Sequence, residues 1–114
     1  MDSHFKLPDE MQDVISEDTI LVIPRAGCTG CIDEVVDFVL KNLDSLDGYK
    51  IVFTDIEGLK ELKIRLGSFY SNNRIYVDTN NVFYKPGSLV SIYPLKLVRV
   101  ERSTFSYKIF QPKK

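Results

Sequence analysis

The chain has one histidine, two cysteines, almost no net charge and no long apolar run, and each shortage removes a class of function. A structural zinc site wants four nitrogen or sulfur ligands. Cys28, Cys31 and His4 do not complete such a set, so no metal and no cofactor are expected. Covalent haem attachment requires Cys-x-x-Cys-His, and Ile32 stands where that histidine would be. A Cys–His catalytic pair is disfavoured by the same shortage of histidine. Fifteen Lys and Arg are interspersed with sixteen Asp and Glu, which gives no electrostatic footprint for nucleic acid. No stretch reads as a transmembrane segment, and Met1 to Lys6 has no apolar core of a signal peptide. The compartment stays open between two readings: the periplasm or cell envelope if a leader has been removed, and otherwise the cytoplasm.

The composition, 44% apolar with few glycines and prolines over 114 residues, is that of one globular domain spanning 1–114. Residues 1–18 are polar and acidic. Pro8-Asp9-Glu10 is a candidate helix start, with Met11, Val14 and Ile15 on one small apolar face and His4 in a solvated tail. Thr19 to Pro24 reads as a buried strand. Apolar residues at 32, 35, 36, 39 and 40 predict a helix over about 29–43. Tyr49 to Thr54 reads as a second buried strand. Asp55 is a candidate cap for a helix with Ile56, Leu59, Leu62 and Leu66 on one face and Gly67 at its end. A β-α-β-α order of this kind predicts a parallel pair with a right-handed crossover. Arg74 to Asp78 reads as a short strand, and Val82 to Tyr84 as its extension or a segment pairing back. Leu95–Glu101 and Thr104–Phe110 read as a closing hairpin.

The only two cysteines form Cys28-Thr29-Gly30-Cys31, between the first strand and the first helix. A helix N-terminus carries unpaired N–H groups and partial positive charge, which favour a thiolate. Arg25 acts in the same direction, whereas Asp33 and Glu34 oppose it. A moderate depression of the Cys28 pKa, and a reducing rather than strongly oxidising couple, is the expectation. Two readings stay open: a redox-active dithiol, and a non-catalytic interaction module whose cysteines are structural. Asp78 is read as a turn-former at a strand end, with a distant proton relay as the alternative. Phe69, Tyr70, Tyr76, Phe83, Tyr84 and Tyr93 are read mainly as core. Those near Pro94 are candidates for the floor of a peptide groove.

A strand ending at Cys-x-x-Cys, then helix, strand, helix and a hairpin led by Pro94, resembles the thioredoxin fold. Within it, Tyr76-Val77-Asp78 followed by Asn80-Asn81-Val82-Phe83 resembles the bacterial TlpA-like and AhpC/TSA-like branch. The resemblance covers about residues 19–110. It implies an α/β fold with a mixed sheet of four central strands flanked by helices, lacking the C-terminal helix. It also implies a thiol–disulfide oxidoreductase acting on protein thiols and disulfides, with Cys28 attacking and Cys31 resolving. Thr29 and Gly30 would lie in the substrate contact, with Pro94 as a cis-proline facing the dithiol. The Tyr93 backbone would hydrogen-bond to a bound peptide. A sheet face left open by the missing helix would favour a homodimer.

Overall fold

The computed structural model describes residues 4–24, 33–56, 58–84 and 94–110. The first strong apolar run, Thr19–Pro24, forms a strand (β2) buried on both faces, and Tyr49–Thr54 forms its parallel partner (β3), with Thr19 opposite Tyr49 and Pro24 opposite Thr54. Near-continuous apolar sequence is what a central parallel strand requires, since neither face meets water. Between them runs a helix, Asp33–Lys41 (α1). A second helix, Leu59–Leu66 (α2), leads to the short strand Ile75–Val77 (β4), which lies parallel to β3. On the other side of β2 comes the expected hairpin, Leu95–Arg99 (β5) and Thr104–Ile109 (β6), antiparallel throughout.

The expectation of four central strands is corrected to six, because His4–Lys6 (β1) adds an edge to give the order β1-β6-β5-β2-β3-β4. This edge pairs antiparallel with β6. Its alternation is the cause: Phe5 is buried between exposed His4 and Lys6, and it stacks on Phe83 at 5.3 Å between ring centroids. His4 is thus a strand residue opposite Ser106 rather than part of a tail. The candidate helix after Pro8 is only a 3-10 turn, Asp9–Met11. It still buries Met11 and Ile15, while Val14 stays 40% exposed.

Helix boundaries shift for local reasons. α1 ends at Lys41, two residues before the expected end, and a 3-10 turn at Leu43–Leu46 takes over. Asp55 does not cap α2. It adopts φ +50°, and Gly58 occupies the cap position with no side-chain hydrogen bond. Leu62 and Leu66 point into the core as expected, Ile56 packs from outside the helix, and Leu59 is 37% exposed. Gly67 ends the helix at φ +57°, a conformation that a Cβ would strain. Val82 to Tyr84 forms no strand.

From β2 to β3 to β4 the chain steps in one direction across the sheet. Right-handed crossovers then put both helices on the same face. Val36 and Val39 of α1 and Leu62 and Leu66 of α2 accordingly share one cluster with Leu21, Ile23, Ile51, Phe53 and Ile75. Among the described residues the opposite face carries no α-helix. The N-terminal arm covers it with Phe5, Leu7, Met11 and Ile15, together with Phe83, over Ile20, Val22, Val52, Leu95, Leu97 and Phe105. Arg99 clamps this arm: its guanidinium contacts Asp18 Oδ1 at 3.1 Å, the Glu17 carbonyl at 3.0 Å and the Arg102 carbonyl, and lies 4.6 Å from the Phe105 ring centroid. No described helix is long and apolar enough to cross a membrane.

Phe83 lies outside every regular element yet is fully buried. Phe83→Ala is expected to destabilise the fold by about 3–5 kcal/mol, as loss of a core aromatic does. Urea denaturation measures it, and a loss under about 1 kcal/mol would show that the arm face contributes little to the core.

Candidate functional site

Register places four segments at one end of the sheet. β2 ends at Pro24 opposite Thr54, the last residue of β3, and Phe53 pairs with Val77, the last residue of β4. β5 begins there as well, because Leu95 pairs with Val22 of β2. Pro94 therefore lies one residue beyond the pair, beside Ile23. The carboxyl ends of parallel strands are where open α/β sheets bind ligands, since the connecting loops leave a crevice there.

One of the sequence-predicted site residues, Pro94, lies at this end. Pro94 is half-buried, and its carbonyl accepts a hydrogen bond from the Phe110 N–H at 2.8 Å, which fixes the start of β5 against the end of β6. Pro24 passes the chain into residues 25–32, which connect β2 to α1 and carry Cys28, Thr29, Gly30 and Cys31. Those four residues and Tyr93 lie outside the described residues, as do the first residue of the Tyr93–Pro94 bond and the chain beyond Phe110 that bears on a C-terminal helix.

The chemical centre among the described residues is a buried carboxylate. Asp78 and Thr54 are both completely buried. Asp78 Oδ2 accepts hydrogen bonds from the Thr54 hydroxyl at 2.8 Å and the Phe83 N–H at 2.8 Å, and Oδ1 accepts from the Val82 N–H at 3.0 Å. The Asp78 N–H donates to the Phe53 carbonyl at 2.8 Å. Three donors converging on one carboxylate, with no cation among the described residues in contact, hold the ends of β3 and β4 to the following turn. Asn81, at φ +55°, extends the tie by accepting the Asp55 N–H at 3.2 Å. Asp78 is the turn-former that the sequence suggested, and its function is to seat Phe83 in the core. Burial, and then the negative charge of Asp78, raises the pKa of the neighbouring Tyr76 phenol above its ordinary value, so Tyr76 stays neutral.

The aromatics divide between the two cores. Phe69 and Tyr70 pack on the helix face, and Phe83 on the arm face with Tyr76 and Tyr84 at its margin. Sequence reasoning missed Phe5 and Leu7 as contributors. Their signal was a two-residue apolar alternation ahead of Pro8. It also missed the partnership of Thr54 with Asp78, which lie 24 residues apart and which no local pattern joins. Among the described residues no three His, Cys, Asp or Glu side chains converge as metal ligands would. Compared with known proteins, the chain matches no family model, no curated protein and no solved structure.

Asp78→Asn replaces an acceptor with a group whose amide must face an N–H donor. It is expected to destabilise the protein by about 2–4 kcal/mol, and Thr54→Val by about 1–2 kcal/mol, because the latter loses a single hydrogen bond while keeping its shape. Equal effects of the two changes in chemical denaturation would contradict the carboxylate's place as the hub.

Proposed function

We propose that this protein is a thiol–disulfide oxidoreductase of thioredoxin-like architecture, with Cys28 as attacking thiol and Cys31 as resolving thiol. One observation carries the reading: the buried central strand β2 ends at Pro24, four residues before Cys28 in sequence, at the same sheet end where Pro94 precedes β5. Further support comes from strand order. Within the six-stranded sheet, β6-β5-β2-β3 is a run in which β2 and β3 are parallel and β5 and β6 antiparallel, the β-α-β followed by a hairpin that the resemblance implies.

In this mechanism the N-terminal end of α1, the helix that follows Cys31 in sequence, would favour the thiolate of Cys28. The Cys28 thiolate attacks one sulfur of a partner's disulfide. A mixed disulfide forms, and the partner's other sulfur leaves as a thiolate that takes up a proton. Deprotonated Cys31 then attacks the Cys28 sulfur, closing the Cys28–Cys31 disulfide and releasing the partner's second thiol. The partner gains two electrons, and the dithiol loses two. Run backwards, the same steps oxidise a partner dithiol. Thr29, Gly30, Tyr93 and Pro94 would contact the substrate chain around the scissile disulfide. Protein thiols and disulfides are the partners this assigns.

Two variants test the order of attack. Cys28→Ser is expected to abolish disulfide reduction in an insulin-turbidity assay. Cys31→Ser is expected to accumulate mixed disulfides with protein substrates, visible on non-reducing gels. If neither change alters partner capture or turnover, the dithiol is structural and the protein is an interaction module.

A further inference from the structure

On the helix-bearing face, α1 and α2 pack over β2, β3 and β4. The other half of that face belongs to the hairpin. Leu95 and Leu97 point to the arm side, so strand alternation turns Lys96 and Val98 toward the helix side. There Lys96 is the direct cross-strand partner of Lys108, and Val98 that of Ser106. The Phe110 N–H donates to the Pro94 carbonyl at one end of the hairpin, and the Val100 N–H to the Thr104 carbonyl at the other. Antiparallel pairing alternates every two residues between these bonds. Lys96 and Lys108 therefore form a hydrogen-bonded pair, with Cα atoms about 5.5 Å apart.

Like charges directly opposite one another destabilise a sheet. Among the described residues no carboxylate forms an ion pair with either lysine. Partial compensation comes from the Tyr49 ring, whose centroid lies 5.5 Å from Lys96 Nζ. Beside the lysines, Val98 is 38% exposed. A shallow cavity of about 260 Å³ opens among Lys96, Val98, Ser106, Tyr107 and Lys108. A strand pair left uncovered by the described residues thus carries two cations at close spacing around an apolar residue.

We propose that this half-face docks an acidic amphipathic helix of a partner protein, whose carboxylates meet Lys96 and Lys108 while an apolar side chain covers Val98. Charge complementarity selects the sign of the partner. The chemistry selects its form: the site is open and rests on a strand face, as the surfaces under α1 and α2 do, and an apolar contact sits between the charges. A phosphate site would instead favour a planar arginine fork or converging backbone N–H groups, neither of which lines this cavity.

The test is an NMR titration of the full chain with a blocked synthetic peptide bearing glutamates on one helical face and leucines on the other. Saturable shifts are expected at Lys96, Val98, Ser106 and Lys108, weakening as salt is raised. Lys96→Glu creates an opposite-charge pair with Lys108, so this variant is expected to melt at or above the native temperature while binding the peptide about tenfold more weakly. Higher stability with lost binding separates docking from a structural role. The proposal is overturned if the peptide shifts none of the four residues, or if Lys96→Glu binds it as tightly. It is equally overturned if inorganic phosphate alone reproduces the saturable shifts, which would make this a small-anion site.

Discussion

A strand buried on both faces must be covered on both faces, and β2 imposes that demand on everything around it. Ile20, Leu21, Val22 and Ile23 are all fully buried, two on each side of the sheet. Parallel pairing with β3 requires a crossover, and the crossover helix α1 supplies one layer. Continuing in the same direction to β4 places α2 in that same layer, and no α-helix among the described residues covers the opposite side. The chain fills it with irregular structure: an edge strand, a 3-10 turn and the Phe83 segment, held by Arg99 on the arm and Asp78 at the sheet's far end. The molecule has one regular layer and one improvised layer on either side of the same strand.

Asp78 links the improvised layer to the end of the sheet where the dithiol connection departs. Burying a carboxylate is unfavourable unless its oxygens are satisfied, and here a hydroxyl and two backbone N–H groups do so. The carboxylate therefore seats the turn after β4, draws Phe83 inward and closes the end of β3 through Thr54. From that turn the chain returns to Pro94 on the far side of β2. Stability and the shape of this end of the sheet consequently share one set of hydrogen bonds.

Legibility in the sequence followed the strength of periodicity. Thr19–Pro24 and Tyr49–Thr54 were readable residue for residue, because buried parallel strands leave unbroken apolar runs bounded by Pro24 and by Gly48. The hairpin was readable from its alternation, and Gly67 from its position after Leu66. His4–Lys6 was not read, since a three-residue strand carries one apolar residue and its pairing with Ser106, Phe105 and Thr104 spans nearly the whole chain. Asp55 looked like a helix cap because its residue type suits one. Its backbone instead turns left-handed and its N–H is held by Asn81, a constraint set by the fold rather than by its neighbours in sequence. The dithiol was conspicuous from the start, as the only two cysteines placed between strand and helix. The buried partnership of Thr54 and Asp78 at the same end of the sheet could be found only in three dimensions.

The central claim is that the connection leaving β2 carries a reversible dithiol. The most direct measurement is the thiol–disulfide equilibrium of the purified protein against a glutathione series, read by mass spectrometry of alkylated thiols. The account predicts a two-electron couple between about −270 and −120 mV, the span of known disulfide oxidoreductases. A disulfide below about −300 mV, or thiols that never pair, would contradict it and leave the cysteines as structural residues of a binding module.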